Sequence, residues 1–236
     1  PPPPPACEGE DFEKAKKVAE IHKQSFYLLE GGGSLFETLH SLRRFEEVLM
    51  DIMLDTPEIN RIENMIAEYV RACVRRALAL DVDGISFGDD FGTQTAPLLS
   101  PAMWRKFFKP RYKTLFKPVI KAGKKIFFHS CGQIAPFLDD FRELGVSAIW
   151  PQLPVFNLKE LARISKDLHL ALQLHPDRGD LMQRARPDEI RAYVHKLVET
   201  FDTSSGGSWL YIEIDPGFPW ANVEALFQTA MELRGN

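Results

Sequence analysis

Apolar residues along this chain follow two alternating spacings. Short, nearly continuous apolar runs at 26–30, 84–88, 125–129, 147–151, 169–174 and 209–214 alternate with segments where they return every three or four positions. Continuous runs of this length predict parallel strands covered on both faces, and the wider spacing predicts amphipathic helices. Thr56-Pro57-Glu58 reads as a cap, a first-turn proline and an acidic residue opening a long helix. There Met65, Ile66, Tyr69, Val70, Cys73, Val74, Ala77 and Leu78 recur at helical spacing. Ser100-Pro101 opens another helix, which Pro110 should interrupt. The helix after 133 should stop at Gly145. Further helices are predicted at 158–166, 187–201 and 222–233.

The resulting order is strand, helical segment, then repeated helix and strand. It predicts an α/β protein, either a doubly wound sheet or a (β/α)₈ barrel. Only six strands are legible. Residues 1–10 form a loose, proline-rich leader, and 11–236 read as one domain with a helical insert at about 35–57.

Composition narrows the function. A net charge of −4 argues against nucleic acid as the main partner. The Lys/Arg-rich stretch 104–125 reads as the solvated face of a helix. No run of about 18 apolar residues predicts a membrane span, and Pro1–Pro5 does not read as a secretory signal. The three cysteines, Cys7, Cys73 and Cys131, are widely spaced, which predicts thiols in a reducing cytoplasm.

Polar residues gather at the carboxyl ends of the strands, where α/β folds bind ligands. His129 and Cys131 are two apart at the end of one strand, so both side chains point the same way. An imidazole nitrogen and a sulfur suit Zn²⁺, which needs at least one more protein ligand. Cys73 reads as a core residue and Cys7 lies in the leader, which leaves Glu213, Asp215, His175 or Asp177. Tyr211, Glu213 and Asp215 share a face if their run is a strand. Of Asp89 and Asp90, one should cap the following turn and the other accept a hydrogen bond or act as a general base. The Gly31–Gly33 run lacks the Lys-Ser/Thr of a phosphate-binding loop.

The segments 83–90 through Leu99-Ser100-Pro101, Phe128-His129-Ser130-Cys131-Gly132-Gln133, and 215–224 together resemble the uroporphyrinogen decarboxylase superfamily. The similarity is to its zinc-dependent methyltransferase branch, which includes methylcobalamin:coenzyme M methyltransferases. Residues 33–57 resemble that family's helical insert. The resemblance implies a (β/α)₈ TIM-type barrel lacking about the first two βα units, and zinc held by His129 and Cys131. Family members add a cysteine near the last strand, but 211–217 contains none. A carboxylate is expected in its place, Glu213 first and Asp215 second.

The implied reaction moves a methyl group between a corrinoid and a small-molecule donor or thiol acceptor. Asp89 and Asp90 are the expected catalytic residues, and Gln94, Gln152, His175 and Tyr211 the expected substrate contacts. The corrinoid-carrying motif Asp-x-His-x-x-Gly is missing; its nearest approach, Asp167-Leu168-His169, has Leu172 at the glycine position. A methyl-corrinoid carried by a separate protein is therefore the expected partner, alongside possible homo-oligomers. Two alternatives are a metal-independent decarboxylase-like lyase and a non-catalytic partial barrel completed by a partner chain.

Overall fold

The computed structural model describes residues 6–234. The leader's Pro1–Pro5 lie outside the described residues. Six strands form one parallel α/β sheet: β1 Leu29–Gly33, β2 Gly84–Gly88, β3 Lys125–Ser130, β4 Ala148–Pro151, β5 Ala171–Leu174 and β6 Ser208–Leu210. Their order in the sheet is their order along the chain. A doubly wound sheet would reverse direction at a switch point; sequential order is that of a (β/α) barrel, here with six strands. No described helix is long and apolar enough to cross a membrane. The chain divides into two compact units, Pro1–Ala148 and Ile149–Asn236.

In the first unit, α1 (Glu10–His22) precedes β1, and the insert forms α2 (Phe36–Leu42) and α3 (Phe45–Leu54). The long helix α4 (Pro57–Ala79) starts as expected, with the Thr56 hydroxyl accepting the Ile59 N–H at 3.3 Å. Its buried face is rotated from the expected stripe: Ile59, Glu63, Ile66, Val70 and Val74 face inward while Met65 is exposed. Glu63 is tolerated in that face because Arg111 Nε lies 2.7 Å from its carboxylate. After β2 come α5 (Pro101–Phe107) and α6 (Lys109–Lys121). Pro110 sits in the first turn of α6, where its missing N–H costs no helical bond, so the chain restarts there; Pro118 lies inside the same helix. The helix α7 (Leu138–Glu143) ends before Gly145, whose φ of +88° is the left-handed stop glycine accommodates.

The first strand sits three residues beyond its expected position at 26–30, and Phe26 and Tyr27 are exposed. The reason is packing. A Cβ on Gly32 would lie 2.3 Å from the Phe87 ring, so the glycine makes room for an aromatic side chain from β2. Phe87 then meets Phe116 of α6, with ring centres 4.8 Å apart. An apolar run alone does not reveal that a glycine strand is the better partner for a bulky neighbour.

The second unit holds α8 (Leu158–Leu168), α9 (Asp180–Arg184), α10 (Pro187–Phe201) and α11 (Trp220–Arg234). Met182, Ile190, Val194, Ala225 and Leu226 form its helical core. His169 does not begin a strand. It closes α8 at φ +50°, and β5 starts two residues later. The last strand is also shorter than the expected 209–214. After Leu210 the Tyr211 N–H still reaches Leu174 O, at 2.6 Å, but 212–215 are irregular. The alternating faces expected for Tyr211, Glu213 and Asp215 therefore have no strand to define them.

Candidate metal centre

The centre is built by two neighbouring strands of the first unit. β2 and β3 pair in parallel with Gly88 opposite His129, so the next residues of each chain advance together. Asp89 N–H donates to His129 O at 3.1 Å, and Gly92 N–H donates to Cys131 O at 3.2 Å. Gln133 N–H closes the stitch on Thr93 O at 2.8 Å. The two loops touch backbone to backbone. A Cβ on Gly92 would lie 2.3 Å from Gln133 N, and one on Gly132 would lie 2.1 Å from Gly92 C. Glycine at both positions is what allows this approach.

Side-chain direction alternates along the stitched segment. Ser130 points inward, fully buried, and its hydroxyl accepts the Phe91 N–H at 3.1 Å. Phe91 is buried among Phe36, Trp104, Phe108 and Phe128, so the residue after Asp90 anchors the loop in an aromatic cluster. His129 and Cys131 face the opposite way and come together, with Nε2 and Sγ 3.3 Å apart. Asp90 joins them: its Oδ1 lies 3.4 Å from His129 Nε2 and accepts the Cys131 N–H at 2.7 Å. Among the described residues these three are a group of donors lying within 4.8 Å of one another, each half-buried.

These separations carry chemical meaning. Zinc–nitrogen and zinc–oxygen bonds of about 2.0–2.1 Å and a zinc–sulfur bond of about 2.3 Å give tetrahedral edges of about 3.3–3.6 Å between donors. The 3.4 Å between His129 Nε2 and Asp90 Oδ1 matches a nitrogen–oxygen edge, and the 3.3 Å between Nε2 and Cys131 Sγ is about 0.2–0.3 Å short of a nitrogen–sulfur edge, a gap that a small side-chain rotation closes. The donor set of one imidazole, one thiol and one carboxylate fits a divalent ion of borderline softness.

Asp89 has a different task. It is buried and accepts the backbone N–H groups of Leu35 at 2.9 Å and Glu37 at 2.8 Å, at the start of α2. Tyr112 of α6 donates its hydroxyl to the same carboxyl. Burial pushes the Asp89 carboxyl up to about 7, against the opposing pull of the Tyr112 hydroxyl and the two N–H donors. Asp89 thus pins α2 to the sheet one residue before Asp90.

The remaining expected site residues are placed as follows. Gln94 is exposed in the loop after β2. In the second unit Gln152 follows β4, and buried His175 lies 2.9 Å from Pro176 O through Nδ1 and 3.2 Å from Pro151 O through Nε2. Burial lowers the His175 pKa and favours the neutral ring. Trp150 stacks edge-on against both His175 and Tyr211, at 5.9 Å and 5.0 Å. Glu213 is held by Arg178, with Nη1 2.8 Å from Oε1, and Asp215 lies 3.6 Å from the same nitrogen. The donor role of Asp90 was missed in the sequence. Its signal was present: consecutive βα units pair as neighbours, and with Gly88 opposite His129, Asp90 runs on beside Cys131.

A sequential parallel α/β sheet with a His/Cys/Asp cluster at adjoining strand ends defines a barrel-type protein with a candidate metal site. The chain belongs to the uroporphyrinogen decarboxylase family: the family model described as Uroporphyrinogen decarboxylase (URO-D) matches residues 20–233. The comparison with curated proteins gave no match. Among solved structures the chain is similar to a methyltransferase from Methanosarcina mazei, with a TM-score of 0.71 and 17% identity over 94% of this chain. The chain spans 64% of that protein's length. A dihydropteroate synthase from Xanthomonas albilineans aligns at TM-score 0.48 and 13% identity, covering 70% of this chain and 60% of that one. Another, from Anaplasma phagocytophilum, aligns at TM-score 0.49 and 15% identity, covering 76% of this chain and 70% of that one. The expected family and fold class are thereby met.

Proposed function

We propose that this chain carries the metal centre of a zinc-dependent methyltransferase that moves a methyl group between a corrinoid protein and a small-molecule donor or thiol acceptor. The observation that carries the reading is the convergence of one donor atom each from His129, Cys131 and Asp90 within 4.8 Å of one another. The family membership and the fold likeness to a protein called a methyltransferase support it.

In this proposal His129, Cys131 and Asp90 hold the ion. Asp90 takes the acidic place first given to Glu213, because it meets the other two donors while Glu213 is engaged by Arg178. When bound, zinc supplies Lewis acidity that keeps a substrate thiol deprotonated or polarises the heteroatom of a methyl donor. The Cys131 N–H orients Asp90, and Asp89 fixes the backbone from which Asp90 projects. Gln94, Gln152, His175 and Tyr211 are assigned to substrate contact. Neutral His175 has one N–H, which is donated to the Pro176 or Pro151 carbonyl, so its part is to hold that backbone in place without adding charge. The corrinoid arrives on a separate protein, and the setting is a reducing cytoplasm, in keeping with Cys7, Cys73 and Cys131 forming no disulfide among the described residues.

Metal analysis tests the site. Purified protein dialysed against zinc should retain about one equivalent, falling at least tenfold in occupancy at limiting zinc for His129→Ala, Cys131→Ala and Asp90→Ala. Sub-stoichiometric zinc that is the same in all three variants sinks the proposal. Porphyrinogen turnover by metal-free protein would instead favour the decarboxylase-like lyase.

A further inference from the structure

Glu63 is a charged residue in the otherwise apolar buried face of α4. Arg111 of α6 answers its charge but only half of its hydrogen-bonding capacity. Arg111 Nε approaches Oε2 at 2.7 Å, while Oε1 is buried with no hydrogen-bond partner among the described residues. Arg111 is not free to turn and serve both oxygens. Its Nη1 donates to Phe107 O, its Nη2 donates to Asn60 Oδ1 at 2.6 Å, and Cζ sits 3.8 Å from the centre of the Phe107 ring. A buried carboxylate oxygen without a donor is costly, so it points to a partner from outside the chain. There is room for one. Glu63 borders a cavity of about 230 Å³ between α4 and α6, together with Asn64, Arg71 and Thr114. The carboxyl torsion of a glutamate is soft, so the unpartnered oxygen can turn to that space. Asn64 and Arg71 also border a groove of about 570 Å³ that reaches Arg61. None of these residues belongs to the metal cluster or to the assigned substrate contacts.

We propose that this cavity is a binding site for a small acidic amino acid. The ligand's ammonium donates to the free oxygen of Glu63, one carboxylate meets Arg71, and the other extends along the groove toward Arg61. Three features select this class. The first is the acceptor. It is a carboxylate, and an ammonium makes a stronger, charge-assisted bond to it than a neutral hydroxyl does. The second is charge. The cavity walls set Arg71 and Arg111 against Glu63, which leaves one positive charge over; a ligand of net charge −1 cancels it, and a simple amine would add to it. The third is size. The cavity is smaller than the ~300–1,000 Å³ of sites for drug-sized molecules and suits a compact metabolite. Arg71 is available for the task. Its present partner, Glu68, lies 2.5 Å away on the surface, 70% exposed, where an ion pair contributes little and is readily exchanged. Asn60, Glu63, Asn64 and Arg71 return at three- and four-residue spacing, so one face of α4 presents them together.

Isothermal titration calorimetry of the full chain with L-aspartate and L-glutamate tests this. At least one should bind saturably at a single site, with a Kd at or below about 1 mM. Succinate and glutarate keep both carboxylates and lack the ammonium, and should bind at least about tenfold more weakly than the matching amino acid. Glu63→Gln removes the charged acceptor and Arg71→Ala the carboxylate's partner; each should weaken binding by about tenfold or more, with far-UV circular dichroism unchanged. Asn64→Trp, at an exposed position, fills the cavity without touching the Glu63–Arg111 pair and should abolish binding, which keeps the test open if Glu63→Gln does not fold. No saturable binding of either amino acid up to about 10 mM overturns the proposal and leaves a hydrated crevice. Dicarboxylates that bind as well as the amino acids overturn it too, as does binding that survives Asn64→Trp unchanged.

Discussion

Removing one oxygen atom from Tyr112 should destabilise the protein in a pH-dependent way. Tyr112 is buried, its ring packed among those of Phe91, Trp104, Phe108, Phe116 and Phe128, and its hydroxyl donates to Asp89. Tyr112→Phe keeps the ring and its packing and deletes the donor. The cost then depends on the acceptor's charge. A bond to a neutral acceptor contributes about 0.5–1.5 kcal/mol and one to a charged acceptor about 1.5–3 kcal/mol. Burial pushes Asp89 up to about 7 in the folded chain, from an ordinary carboxylate near 3.8, so it is protonated at pH 5 and ionised at pH 8.5. Burial also raises the Tyr112 pKa well above its usual value, so it remains a donor throughout this range. The sign follows. A raised folded pKa gives wild-type stability that is fully present below about pH 4 and lost as pH climbs through 7. The Tyr112 hydroxyl opposes that loss by favouring the ionised form. Tyr112→Phe should therefore cost about 1 kcal/mol at pH 5 and about 2 kcal/mol at pH 8.5. Urea unfolding of both proteins at the two pH values, followed by circular dichroism, measures the difference. Equal penalties at both pH values, or a larger one at pH 5, would refute the reasoning.

Two further substitutions probe other parts of the structure. Gly92→Ala places a Cβ 2.3 Å from Gln133 N, so the stitched loops must part; about 2–4 kcal/mol of destabilisation and loss of zinc retention should appear together in thermal melts and metal analysis. Asn222→Ala removes an amide that donates at 3.0 Å to both Met182 O and Ala185 O at the end of α9, leaving two carbonyls without that partner; a loss of about 1–3 kcal/mol should be seen by urea unfolding, with zinc binding unchanged.

Much of the architecture was legible because it rests on local signals. The β2 segment and α10 fall at the expected residues, 84–88 and 187–201, because glycine, proline and cap positions mark them. The misplacements share another cause, the influence of distant residues. β1 moves because Phe87 needs the space above Gly32, and the inward face of α4 rotates because Arg111 can neutralise Glu63. At the candidate metal centre, His129 and Cys131 were visible as an alternating pair on one strand. A cap on the turn that follows was expected of one aspartate in Asp89-Asp90; Asp89 instead caps the start of α2, more than fifty residues earlier in the chain. Which residue caps and which meets the histidine depends on the start of α2 and on Tyr112, both far away in sequence. Glu213 drew notice through a strand pattern that ends at Leu210, and its partner Arg178 lies on a loop with no periodicity to announce it.

The contact between Gly92 and Gly132 makes the three donors a rigid cassette. Their backbone is already fastened by hydrogen bonds between the two loops, so the proposed capture of an ion would require little reorganisation and little loss of chain entropy. The selectivity of such a cassette lies in its side chains alone: exchanging the carboxylate at position 90 for a softer or harder donor should retune which metal it prefers while the scaffold stays put.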